Sequence, residues 1–127
     1  MSETTFRVVK IDADGVPSTE EWNLEPSGQV LPLLQGAVGG EFRRVDCVNL
    51  LERLDMWIGE ESMHEFEPNP VATALAASTG LVWQKYHGPV VLAGVDPTTG
   101  RTLPLSADHA VFLVHQARKA RRVLGLD

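Results

Sequence analysis

The chain has 127 residues, 43% hydrophobic and 22% charged, a formal net charge of −6 and a single cysteine. That length and balance argue against disorder and fit one domain over residues 1–127, large enough to bury a core without metal or disulfide staples; with no basic-then-apolar leader and no apolar run near the roughly 18 residues that span a bilayer, a cytoplasmic protein without membrane contact is expected. Residues 1–67 carry fourteen acidic and five basic side chains, a balance of −9, against +3 for residues 68–127, and so negative a front half argues against direct nucleic-acid binding, which needs clustered Lys and Arg to release counterions.

In chain order, Phe6, Val8, Val9 and Ile11 supply β-favouring apolar positions and Asp14-Gly15 is a short-range turn signal. Residues 6–24 therefore predict a hairpin, with STEEWNL as the weaker return strand. Ser27 is the expected cap of a short helix carrying Val30, Leu33 and Leu34, with Pro32 late for a first-turn proline and Gly36 or Gly39-Gly40 as the stop. Alternation from Phe42 onward predicts two strands, about 41–49 and 54–60, joined at Leu50 to Arg53. Leu50, Leu51, Leu54 and Ile58 also satisfy helical spacing, which leaves strand and helix open for 50–58. Cys47, between Val45 and Val48, reads as a buried structural thiol.

GEESMHEFEPN predicts a solvated loop, PVATALAAST a helix, and GLVWQKYHGPVVLAGVD one or two strands broken at Gly88-Pro89. Pro97 to Gly100 reads as a turn before a short return strand. The last element is a helix over about 106–124, capped by Ser106, with Asp108 at its positive end and the basic residues near its negative end. Ala110, Leu113, Val114, Ala117, Ala120 and Leu124 form its buried stripe, and Gly125 ends it.

The nearest approach to a motif is EFEPNPVATALAAS, Glu65 to Ser78. Asn is a favoured N-cap, and Pro at the first helical position loses an N–H that would be unpaired anyway, so Asn69-Pro70 reads as a helix start. The alternative is a ligand site at the same place, beside Thr73. Glu60, Glu61, Glu65 and Glu67 oppose an anion there and favour a cationic partner. Together with His64 they hold metal-ligand chemistry without the spacing of a zinc or calcium cage, so no metal or other cofactor is expected. No phosphate loop, nucleophile elbow or Cys/His pair occurs, and no catalytic residue is assigned. Arg118, Lys119, Arg121 and Arg122 complement the helix dipole, or else dock on an acidic surface of a partner or of a second copy.

The D-x-D-G turn (Asp12 to Gly15), the short helix ending at Gly39-Gly40, and the pairing of Asn69-Pro70-x-Ala72 with Gly88-Pro89-Val90-Val91 resemble a family of small phage and bacterial proteins, domain of unknown function three-eight-four-six. The resemblance covers about residues 6–95, leaves the last helix outside, and brings no catalytic roles. It implies a phage-type origin and an accessory role. The expected fold is α+β, a small, mostly antiparallel sheet packed by two or three helices including the C-terminal one. The expected function is a non-enzymatic binding protein of phage or mobile-element type, a host-takeover or anti-defence factor in the host cytoplasm. Its contacts to a host protein or small ligand would be Glu60, Glu61, His64, Glu65, Glu67, Asn69 and Thr73. Two alternatives stand beside it: a small-ligand enzyme at the Asn69-Pro70 helix start, and a homo-oligomeric module joined through the basic helix.

Overall fold

A computed structural model of the chain describes residues 5–24, 28–39 and 44–127. Strands β1 (Thr5–Ile11) and β2 (Pro17–Asn23) form the first expected hairpin, and β3 (Val45–Leu51) and β4 (Leu54–Gly59) form the second. β5 (Val90–Val95) joins them into one antiparallel sheet ordered β2-β1-β5-β4-β3, and β6 (Thr102–Leu103) pairs with the end of β5.

Alternation along β1 decides how this sheet is covered. Phe6 and Val8 point to one face, Val9 and Ile11 to the other, and all four are buried. Helix α1 (Leu31–Val38) covers the first face, where Leu34 and Val38 pack with Phe6, Val8, Val91 and Ala93 between Trp22 and Trp57. Helices α3 (Pro70–Ser78) and α4 (Ala107–Val123) cover the second, setting Val71, Ala76, Leu113 and Ala117 against Val9, Ile11, Met56 and Leu92. The α+β expectation is met, including the C-terminal helix. β5 is buried at all six positions because it runs mid-sheet with helices on both sides, which is why its sequence, VVLAGV, holds no polar residue.

Several local readings change. The choice left open for 50–58 falls to strand: the end of β3, a turn at Glu52-Arg53 and β4, with Met56 opposite Val48 and Trp57 opposite Cys47 in a ladder that leaves Met56 fully buried. α1 starts after Val30, which puts Pro32 in its first turn where the missing N–H is harmless, and it passes through Gly36 before Gly39 ends it. Ser27, Gly40 and residues 41–43 lie outside the described residues. A one-turn helix, α2 (Ser62–Glu65), interrupts the expected loop, and of the one or two strands expected between Gly80 and Asp96 there is one, β5, after Gly88-Pro89. Ser106 caps α4 as expected, its Oγ accepting from His109 N at 3.1 Å, but Leu124 falls past the last helical turn and is exposed.

The strand, turn and helix layers meet at Asn69, which is fully buried. Its Oδ1 accepts from Ala72 N at 3.1 Å, capping α3. Its Nδ2 donates to Asp12 O at 2.9 Å, in the β1–β2 turn, and to Gly88 O at 2.8 Å, just before β5. The same turn is tied again from α4, where the Arg121 guanidinium donates to Asp14 O at 3.0 Å. Gly15 (φ +81°) and Gly88 (φ +73°) adopt left-handed backbone at these junctions, and a Cβ on either would come within 2.8 Å of Val71 or 2.7 Å of Phe66. Asn69→Ala removes a cap and leaves the Gly88 carbonyl without this donor, while Asp12 O keeps only Gly15 N at 2.9 Å, so it is expected to lower unfolding stability by about 2–3 kcal/mol. A lower urea midpoint with an unchanged m-value is the measurement that checks it. Asn69→Asp keeps the cap acceptor but loses both donors, and is expected to be as damaging.

Candidate functional site

The two outer strands of the sheet are treated differently by the sequence. β2 carries Pro17, Glu20 and Glu21, which discourage pairing with another strand. β3, VDCVNLL, has Asp46 as its one charge. Glu60 N donates to Arg44 O at 2.9 Å, so the doubly bonded pairs of the β3–β4 ladder fall at 46/58 and 48/56. By the same alternation the N–H and C=O groups of Val45, Cys47 and Asn49 turn outward, and among the described residues no strand pairs with that edge.

Beside this edge runs the segment from Leu81 to His87, fixed at both ends. Leu81 N donates to Ala76 O at 3.0 Å, and Tyr86 is held by Thr73 Oγ1, which accepts from Tyr86 N at 2.9 Å, and by Asn69 N, which donates to Tyr86 O at 2.7 Å. His87 Nδ1 donates to Phe66 O at 3.0 Å. Leu81 and Tyr86 pack into the core, while Trp83 between them is 87% exposed and Val82 is also exposed. Between Trp83 and the strand lies a cavity of about 340 Å³ lined by Cys47, Val48, Asn49 and Tyr86. Gln84 and Tyr86 also line a second cavity of about 150 Å³, which reaches Asp46, Glu60, Met63, Lys85 and His87. The two make a groove along β3 that is apolar beside Trp83 and acidic toward Glu60.

Cys47 is exposed here rather than buried, because its position on the outermost strand takes it beyond the cover of the helix layer. Its thiol is nonetheless pushed up to about 12, first by desolvation and then by the hydrogen bond and charge of Asp55. Asp55 is itself buried, and its Oδ1 accepts from Asn49 Nδ2 at 2.9 Å. A thiol held this way is a poor nucleophile at neutral pH.

The residues expected to form a contact surface are divided between two environments. Glu60 lines the acidic end of the groove, and Glu61, His64, Glu65 and Glu67 lie exposed on and around α2. Asn69 and Thr73 are committed to internal bonds, Thr73 Oγ1 donating to Asn69 O at 2.9 Å while accepting from Tyr86 N. Among the described residues no three His, Cys, Asp or Glu side chains gather as a metal site. Of the basic cluster, Arg118, Lys119 and Arg122 are exposed, whereas Arg121 is occupied by Asp14 O, Leu126 O and the Asp127 carboxylate. Trp83 was not singled out by the sequence pattern, although an apolar Val-Trp pair just after the Gly80 turn and ahead of polar Gln84-Lys85 was the available signal.

A family model described as Domain of unknown function (DUF3846) matches residues 6–117. The chain belongs to that family. The match runs past residue 95 and well into α4, so the last helix is part of the DUF3846 domain and only the basic end from Arg118 onward lies outside it. No curated protein and no solved structure matches the chain. Among the described residues of this DUF3846 domain no helix is long and apolar enough to cross a membrane. Its one cysteine gives a direct check on the β3 edge. At pH 8 a thiol near 12 holds about a thousandfold less thiolate than one at the ordinary 9.0, and its greater intrinsic nucleophilicity restores only part of that rate. Alkylation of Cys47 by iodoacetamide is therefore expected to run roughly 30-fold slower in the folded domain than in the urea-unfolded chain, and Asp55→Asn is expected to speed the folded reaction.

Proposed function

We propose that this domain is a non-enzymatic binding protein that takes up an extended polypeptide segment along the outer edge of β3. The observation that carries this reading is Trp83, 87% exposed at the lip of a groove beside unpaired strand backbone. An open edge supplies main-chain hydrogen bonds to any extended chain, which is the chemistry of strand addition. Trp83 supplies a large, rigid apolar contact of the kind that dominates binding interfaces. Asp46 and Glu60 outnumber Lys85 at one end and favour a Lys or Arg in the incoming segment, and Glu61, Glu65 and Glu67, with His64 among them, extend the acidic surface around α2. The enzyme reading at the Asn69 helix start draws less support, because Asn69 and Thr73 spend their side chains inside the fold. On the proposed reading the protein works in the cytoplasm and its partner is a host protein, as fits the accessory role that the resemblance to phage and mobile-element proteins implies.

The test is a random-peptide display library selected on the full chain. Selected peptides are expected to be extended, to carry a basic residue, and to bind more weakly as salt rises. Trp83→Ala is expected to weaken them at least tenfold, about 1.4 kcal/mol. Cys47→Pro removes an outward N–H without touching the β4 ladder and is expected to do the same while the domain stays folded. A library that enriches no peptide over the Trp83→Ala control overturns the reading, as does one whose peptides bind Cys47→Pro and Trp83→Ala undiminished.

A further inference from the structure

The outer side of the α3–α4 layer carries a second groove, separate from the β3 edge. Two cavities of about 210 and 220 Å³ meet at Leu75, Ser78 and Gln116, between the two helices. Exposed apolar side chains mark both ends, Leu51 and Phe112 at one, Val123 and Leu124 at the other. The charges divide in the same direction. Glu52 and Asp108 lie at the Phe112 end, and Lys119 and Arg122, with Arg118 next to them, lie at the Val123 end. Arg53 lies beside Glu52 and is the smallest of the influences that hold the Asp96 carboxyl below the usual range, the first being the Thr98 amide.

We propose that this groove is a self-association surface, closed by a second copy of the chain across a two-fold axis near His115 and Gln116. The spacing on α4 supports it. Asp108, His115 and Arg122 are seven residues apart, two helical turns, so they share one face. That face is exposed at all three. A two-fold axis at His115 runs the two α4 helices antiparallel and sets Asp108 of each copy opposite Arg122 of the other. One symmetric contact thus satisfies the acidic end and the basic end together, and Phe112 lies over the aliphatic stem of Lys119 across the axis. A parallel arrangement would instead bring Arg118, Lys119 and Arg122 of both copies together. A head-to-tail contact from the basic end onto the α2 carboxylates would form a ring or an open chain of copies and would leave the apolar ends of the groove uncovered. The occupant that matches both the apolar ends of this groove and the opposed charges on the α4 face beside it is the same surface, turned by half a revolution.

Sedimentation equilibrium of the full chain across the micromolar range tests this. A dimer is expected, weakened at least about tenfold by Asp108→Arg and by Arg122→Glu separately. The double swap Asp108→Arg with Arg122→Glu is expected to recover most of the lost association, because each copy then again presents opposite charges at the two ends. Phe112→Ser is expected to weaken the dimer without changing the circular-dichroism melt at a concentration low enough for both chains to be monomeric, since the ring is exposed. Trp83→Ala is expected to leave association intact, which separates this surface from the peptide groove. A chain that stays monomeric throughout overturns the proposal, leaving the groove to a partner of another kind. So does a double swap that associates no better than the single variants, or a dimer broken by Glu60→Gln with Glu61→Gln and not by the α4 changes.

Discussion

Two carbonyls and a helix start with unpaired N–H groups come together at one point, and one carboxamide bonds both carbonyls and one of those N–H groups, Ala72 N. The Asp12 carbonyl lies in the turn, where Gly15 N is its other donor, and the Gly88 carbonyl lies just before β5; a buried carbonyl without a donor would cost about 1–3 kcal/mol. Asn is the side chain short enough to cap α3 from its own backbone position while presenting two donors; Asp would cap but donate nothing, and Gln would reach too far. Thr73 then carries the same arrangement onward to Tyr86 N, one helical turn along. Because Tyr86 and Leu81 are both fixed by α3, the four residues between them are held out over the edge of β3, and Trp83 has no core position to return to.

The sheet places this exposed segment where an open edge already exists. β5 sits in the middle with helices on both faces, so every face of the central strands is consumed by packing, and what polar chemistry the fold can offer is pushed to its margins. β2 closes its margin with proline and two glutamates. β3 keeps an edge of Val45, Cys47 and Asn49 backbone groups with little charge, and Trp83 stands beside it as partial cover. An edge so lightly guarded is an aggregation hazard unless something uses it or shields it, which is the physical reason to connect the tryptophan with the strand instead of treating each as an accident.

What the sequence alone revealed followed the range of the interactions involved. The caps at Ser106 and Asn69 and the dipole-matched ends of α4 were legible because each depends on residues within about one helical turn, and the hairpins because strand alternation and the turn between the strands are both local in sequence. The rest of Asn69's role was not, since its two donors reach carbonyls 57 and 19 residues away, and Arg121 reaches Asp14 across 107. Cys47 failed as a buried residue for a related reason. Alternation tells which way a strand side chain points, but whether a helix lies over that point depends on the strand's place in the sheet, and β3 is outermost. Pro32 was misjudged because the helix start was set at Ser27; from Leu31, the proline falls in the first turn and fits.

The lopsided charge of the chain also changes meaning once it is placed in space. Arg121 leaves the basic cluster, because its guanidinium is bound to the β1–β2 turn and to the C-terminal residues. The remaining Arg118, Lys119 and Arg122 share their helix with Asp108, so α4 presents a surface positive at one end and negative at the other, not a uniformly basic one. The glutamates around α2 belong to a different element, beside the β3 groove. If the basic end of α4 were free, it would be the nearest cationic partner for those glutamates in any second copy, and the chain would compete for its own binding groove. The symmetric α4 pairing proposed above would remove that competition: it would set Arg122 against Asp108 within a closed dimer, and would leave the acidic end of each β3 groove open to a cationic segment from elsewhere.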